Sequence, residues 1–151
     1  MNLKEEKYNR YALVREMMET PGIIKSFDPG LSAKFADVIK SKKGLFLTGE
    51  GSSRIFPAKR AIQRSLQKSF SMPVVTEGST QAAEYSLKDF AVFAASNSGQ
   101  TKEVIRLATA LKKQNHNAVF GLTANPGTKL EELANGTHVL TCGKENAVAA
   151  T

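Results

Sequence analysis

The sequence has no tryptophan, one cysteine (Cys142) and two histidines, His116 and His138. A lone thiol closes no internal disulfide. One cysteine with two well-separated histidines offers no zinc-ligand spacing, so neither redox nor metal chemistry is expected and no cofactor is called for. No apolar run approaches the roughly 18–20 residues that a membrane-crossing helix needs, so no membrane partner is expected. The opening MNLKEEKYNR is polar and mixed in charge, without the apolar core of a secretory signal, which points to a soluble, cytoplasmic protein.

What is present suffices for one compact domain: 151 residues, 41% hydrophobic and 23% charged. The net charge of +7 raises the question of nucleic acid. The excess is diffuse, however, spread evenly over the N-terminal, middle and C-terminal parts of the chain. The one acid-free basic run is Arg54, Lys59, Arg60, Arg64 and Lys68, three of which recur every four residues as a solvated helix face would. No aromatic platform accompanies it, so no nucleic-acid partner is expected. A mildly positive surface favours a small anionic ligand through its long-range field.

Residues 1–43 read as a helical arm, because Tyr8, Tyr11, Ala12 and Arg15 to Met18, then Leu31, Phe35, Val38 and Ile39, keep a period near 3.6. Breaks are expected at Pro21-Gly22 and at Asp28-Pro29-Gly30. Residues 44–151 change texture, to short apolar runs alternating with amphipathic stretches. Five strands are expected, Leu45 to Thr48, Pro73 to Thr76, Ala91 to Ala95, Ala118 to Thr123 and His138 to Cys142. None shows polar alternation, as befits strands covered on both faces. Apolar faces are read at Ile55, Ala58, Ile62 and Leu66 in the first crossover helix and at Val104, Leu107, Ala108 and Leu111 in the third. The second, Ser79 to Leu87, is short, and Thr128 with Glu131 has capping-box spacing before the fourth. The class is α/β, a doubly wound five-stranded parallel sheet of flavodoxin-like order, with an N-terminal helical arm.

Ligands of such sheets bind at the carboxyl ends of the strands, where the order reverses. Two turns there stand out. Thr48-Gly49-Glu50-Gly51-Ser52-Ser53 follows the first strand and Ala95-Ser96-Asn97-Ser98-Gly99-Gln100-Thr101 follows the third. Both are small and hydroxyl-rich and both open a helix, so N–H groups and hydroxyls meet the positive end of the helix dipole in an anion cradle. Either turn alone is equally well explained as a helix cap. Two of them on adjoining strands are harder to dismiss. No Gly-Lys-Ser/Thr closes either turn, and Gly49-Glu50-Gly51 lacks the third glycine of a dinucleotide fingerprint, so nucleotides are disfavoured.

On these residues the stretch from Gly44 onward resembles the sugar isomerase (SIS) domain family, as found in the isomerase half of glutamine-fructose-6-phosphate aminotransferase and in related phosphosugar isomerases and deglycases. Gly51-Ser52-Ser53 matches the family's first loop and Ser96-Asn97-Ser98-Gly99-Gln100-Thr101 its Ser-x-Ser-Gly-x-Thr loop, with Glu103 near an acidic residue common there. Val148-Ala149-Ala150-Thr151 matches a Val-Ala-Ser-Thr helix start with alanine for serine, and Glu19-Thr20-Pro21-Gly22-Ile23-Ile24 resembles the aminotransferase group's Glu-x-Pro-x-x-Ile lead-in. The resemblance implies that Ser52, Ser96, Ser98 and Thr101 hold a phosphate while Ser53, Gln100, Val148 and Ala150 line the sugar, with Gly51 and Gly99 allowing close backbone approach. It implies a phosphosugar ligand, a homodimer or larger homo-oligomer, and aldose-ketose or aminosugar-phosphate isomerase or deglycase chemistry by proton transfer between C1 and C2. The alternative is a non-catalytic phosphosugar sensor, or a single SIS domain of a larger protein.

The family's proton-shuttling glutamate lies beyond the Val-Ala-Ser-Thr helix, and a second SIS domain follows it, so the domain at 44–151 is expected to be incomplete at its C-terminal end. No glutaminase-like segment is present, and complete aminotransferase activity from this chain alone is not expected. Glu145, after the fifth strand, is the remaining candidate base, against its reading as a polar helix lead-in. Glu50 is expected to face solvent or another subunit, and Glu84 could approach a neighbouring subunit's site. His116 is expected to be exposed at the opposite end of the sheet, His138 to begin the fifth strand, and Cys142 to be a small packed residue. Tyr8, Met17, Met18 and Ile23 are assigned to subunit packing.

Overall fold

The computed structural model describes residues 5–140, 142 and 146–147. A single 3-10 turn at Glu6–Tyr8 precedes helices α1 (Ala12–Ser26) and α2 (Gly30–Lys40). Strands and helices then alternate: β1 (Gly44–Gly49), α3 (Ser52–Gln67), β2 (Val74–Gly78), α4 (Ser79–Ala82), β3 (Phe90–Ala95), α5 (Lys102–Lys113), β4 (Val119–Thr123), α6 (Lys129–Leu133) and β5 (Gly136–Val139). The strands form one sheet in the order β2-β1-β3-β4-β5, with every pairing parallel. This is the doubly wound α/β arrangement expected from the sequence.

Successive residues of the central strands feed opposite faces, which is why these runs lack polar alternation. On one face Phe46, Val92 and Val119 meet Leu107 and Leu111 of α5 and Ala82 of α4. On the other, Ala91 and Phe120 pack on Phe35 of α2, with Leu45 and Phe93 beside them. The Phe35 and Phe120 rings lie 4.6 Å apart between centroids and Phe93 and Phe120 5.2 Å, an aromatic cluster at the centre of that layer. Of the N-terminal helices, α2 therefore covers the sheet. By contrast α1 buries only Glu16 and leaves Leu13, Met17, Met18 and Ile24 exposed.

Several boundaries differ from the sequence reading. Helix α1 runs through Pro21-Gly22 instead of stopping there. Proline lacks a donor for the Met17 carbonyl, but Met17 is half-exposed, so the freed oxygen can meet water, and Thr20 Oγ1 donates a further bond to the Glu16 carbonyl at 3.2 Å. Asp28-Pro29-Gly30 does break the chain, with the Gly30 N–H donating to Asp28 Oδ1 at 2.8 Å. Strand β5 begins at Gly136 and ends at Val139, two to three residues earlier than expected, and His138 is its third residue. Asn135 fixes this register: its side-chain Oδ1 accepts from Val119 N at 2.8 Å while its backbone N–H donates to the Val119 carbonyl at 2.7 Å. Helix α5 buries all four of its expected apolar positions. Helix α3 does not: Ala58 and Ser65 face inward, while Leu66 is 76% exposed and Ile55 37%. The Thr128–Glu131 capping box is fully formed.

Candidate functional site

The two hydroxyl-rich turns meet because β1 and β3 are neighbours and their last residues, Gly49 and Ala95, are register partners. A Cβ on Gly49, at φ +150°, would stand 2.5 Å from the Ala95 carbonyl oxygen. Only glycine lets the two strand ends come this close. Gly51, at φ +53°, then turns the chain into α3, and no side chain caps that helix's first turn. Its leading N–H groups are left for a ligand.

The second turn is internally braced. Ser96, 2% exposed, shares a 2.8 Å bond between its Oγ and Thr101 Oγ1, and the Thr101 N–H also donates to Ser96 Oγ at 3.4 Å. Two hydroxyls joined by one bond leave one hydroxyl proton to donate elsewhere. Ser98 is exposed, its Oγ accepting from Gln100 N at 3.2 Å. Gly99, at φ +62°, lies so close to Thr128 that a Cβ would fall 2.3 Å from the threonine's own. This seats the turn on the capped start of α6.

Between the turns lies a cleft of about 250 Å³. Its polar edge is Ser52, Ser53, Ser96, Asn97 and Thr123, and its apolar wall is Phe56, Pro57, Ala95, Leu122, Ala124 and Leu140. That volume suits a small ligand and is below what a dinucleotide fills. Ser52, Ser53 and Ser96 are thus brought together, with Gly51 at the foot of α3. Ser98, Gly99, Gln100 and Thr101 complete the second turn but stand outside the cleft lining. Glu145, Val148 and Ala150 lie outside the described residues.

The sequence reading missed a third turn, Thr123 to Asn125, which follows β4 at the same edge. Thr123 Oγ1 donates to the Asn125 carbonyl at 2.8 Å, and both Asn125 Nδ2 and the Ala124 N–H donate to the Asn97 carbonyl at 3.0 Å. The rule that led to the first two turns applies equally to strand four, so the signal was present. Phe56, Pro57 and Leu140 had none, because apolar residues beside a turn read as core.

No described residue lining the cleft is titratable. Glu50 is half-buried and accepts from Ser79 N at 2.9 Å, so it caps α4 from the first turn instead of facing solvent. Glu84 is exposed. His116 is half-buried, not merely exposed: its Nδ1 accepts from Ala118 N at 3.2 Å, which leaves Nε2 to donate to the Leu87 carbonyl at 2.9 Å. His138 is 6% exposed, stacked on Phe27 with Nδ1 3.3 Å from Ser32 Oγ. Cys142 is half-buried. In the basic run Lys59, Arg60, Arg64 and Lys68 are exposed, but Arg54 is half-buried, with Nη1 3.5 Å from Thr76 Oγ1 and no partner for Nε. The resolved pKa shifts belong to exposed ion pairs that do not line the cleft. The hydrogen bond and attraction of Lys43 lower Asp89, the same bond raises Lys43, and Lys129 lowers Glu132.

No protein-family model and no curated protein matches the sequence. Solved structures do. The C-terminal domain of glucosamine-fructose-6-phosphate aminotransferase from Francisella tularensis superposes with a TM-score of 0.72 at 17% identity, over 93% of this chain and 42% of that one. The chain has the sugar isomerase domain fold. The same fold is shared with an E. coli CFT073 protein in complex with a phosphosugar (TM-score 0.65, 20% identity, 93% of this chain and 75% of that one). It is shared again with the Vibrio vulnificus NanR protein complexed with ManNAc-6P (TM-score 0.61, 21% identity, 83% and 48%). The chain spans less than half the length of the Francisella and Vibrio structures. Among the described residues, no helix of this sugar isomerase fold is long and apolar enough to cross a membrane.

Proposed function

We propose that this chain binds a phosphosugar at the carboxyl edge of its sheet. The observation that carries the reading is the meeting of the Ser52-Ser53 and Ser96-to-Thr101 turns at the Gly49–Ala95 contact, each opening a helix whose first turn no side chain caps. In this reading the phosphate sits on the 96–101 turn, held by Ser96, Ser98 and Thr101 with Ser52 opposite, and the sugar extends over Ser53 and Gln100 into the cleft. Sharing a fold with the Vibrio and E. coli structures, both solved in complex with phosphosugars, supports the ligand class.

Hydroxyls and N–H groups supply binding, and the described lining offers no group to move a proton. Isomerase or deglycase turnover between C1 and C2 therefore requires a base from elsewhere, Glu145 being this chain's candidate; without one, the domain senses its phosphosugar. A second copy of the chain covers the apolar side of α1 in this reading. The test is a thermal-shift and calorimetric panel of hexose and hexosamine phosphates. Ser98→Ala is expected to weaken binding by about 1–3 kcal/mol through the lost bond to a charged oxygen. Failure of every phosphosugar to bind, or equal binding by Ser98→Ala, refutes the reading. Deuterium exchange at C2 separates turnover from sensing.

A further inference from the structure

Glu16 is the single buried residue that α1 contributes among those described, at 6% exposure, and it sits amid apolar neighbours that face outward. A carboxylate is a costly group to bury unless it is well bonded. Its bonds are made far away in sequence. Oε1 accepts from Asn146 N at 2.6 Å and from Ala147 N at 3.0 Å, and Oε2 accepts from Ala147 N at 3.0 Å. Two successive backbone N–H groups aimed at one carboxylate form an anion-binding corner, and here the protein supplies the anion itself. The chain reaches this corner six residues after Leu140, which forms part of the cleft wall.

We propose that Glu16 is a positioning residue: its carboxylate, on the N-terminal arm, fixes the course of the chain that leaves the cleft at Leu140. A 15-residue helix that buries no apolar side chain of its own is marginal in water, so the bond works in both directions, tethering α1 as it steers the C-terminal segment. The effect on ligand binding rests on the phosphosugar reading above, whereas the tether does not.

The experiment is amide hydrogen exchange by NMR, together with binding of fructose 6-phosphate and glucosamine 6-phosphate, on the full chain and on Glu16→Gln and Glu16→Asp. The glutamine keeps the size of the side chain but turns an amide donor toward a backbone N–H. In Glu16→Gln the Asn146 and Ala147 amides are expected to exchange at least tenfold faster and phosphosugar affinity to fall about tenfold. Exchange at Val92 and Ser96, in and beside β3, is expected to be unchanged, which shows that the fold is intact. Glu16→Asp, which retains the charge, is expected to recover part of both. Unchanged exchange at Asn146 and Ala147 overturns the tether. Faster exchange with unaltered affinity overturns the positioning role. A wild-type protein that binds neither sugar phosphate yet shows the exchange change supports the tether and removes only the phosphosugar reading.

Discussion

Replacing Gly99 with alanine tests the seating of the second turn on α6. The new methyl would meet the Thr128 side chain at 2.3–2.5 Å, and Thr128, 4% exposed and committed to its capping box, has no room to move away. Two costs combine. A left-handed φ of +62° costs a residue with a Cβ about 1–2 kcal/mol, and forcing a methyl into a filled site adds about 1–3 kcal/mol. Gly127 is the internal control: its φ is +69°, but nothing lies within 4 Å of where its methyl would stand, so Gly127→Ala carries the backbone cost alone. The steric difference of about 2 kcal/mol corresponds to a melting temperature roughly 4–8 °C lower for Gly99→Ala than for Gly127→Ala in a domain of this size. Thermal and urea unfolding followed by circular dichroism measure it. A double-mutant cycle with Thr128→Gly should show strong coupling, because that change removes the obstructing carbon. If Gly99→Ala and Gly127→Ala prove equally stable, or the cycle is additive, the turn does not rest on α6 as described.

Two further outcomes are expected. Asp89, hydrogen-bonded to Lys43 at 2.8 Å, should titrate below the ordinary carboxylate value, and Lys43→Ala should return it there. Since the folded-state value is lowered, its small stabilising contribution is present above the ordinary carboxylate value and fades as pH falls through the lowered midpoint. An unshifted midpoint in an NMR titration of the wild-type protein contradicts the pairing. In sedimentation at micromolar concentration the protein should run as a dimer, because Leu13, Met17, Met18 and Ile24 leave α1 an uncovered apolar side. A monomer counts against that arrangement.

The sheet was legible because its determinants are local. Apolar runs bounded by glycine and serine mark the strands, and the 3.6 period of Val104, Leu107, Ala108 and Leu111 marks α5 without ambiguity. The strand order followed from a topological rule. The misreadings have a common cause, in that tertiary partners decided what the local pattern left open. Ile55, Ile62 and Leu66 repeat like a core face, yet α3 turns Ala58 and Ser65 to the sheet. Glu50 looked like a solvent carboxylate until the Ser79 N–H stood within its reach, and Asn135 drew β5 two residues forward. In the candidate site, the hydroxyl turns carried a signal because few other roles demand such residues, whereas Phe56 and Leu140 resemble any packed hydrophobe. Nothing in the sequence pairs Glu16 with residues 130 positions away.

The way α3 rests on the sheet has a mechanical consequence. A helix seated on a methyl and a hydroxymethyl, Ala58 and Ser65, lies on a smooth strip and can slide a fraction of a turn with little loss of contact. Helix α5 is keyed in place by four interlocking side chains. The Ser52-Ser53 side is therefore the compliant jaw and the Ser96-to-Thr101 side the anvil, so the molecule can grip guests of unequal girth while its interior stays undisturbed.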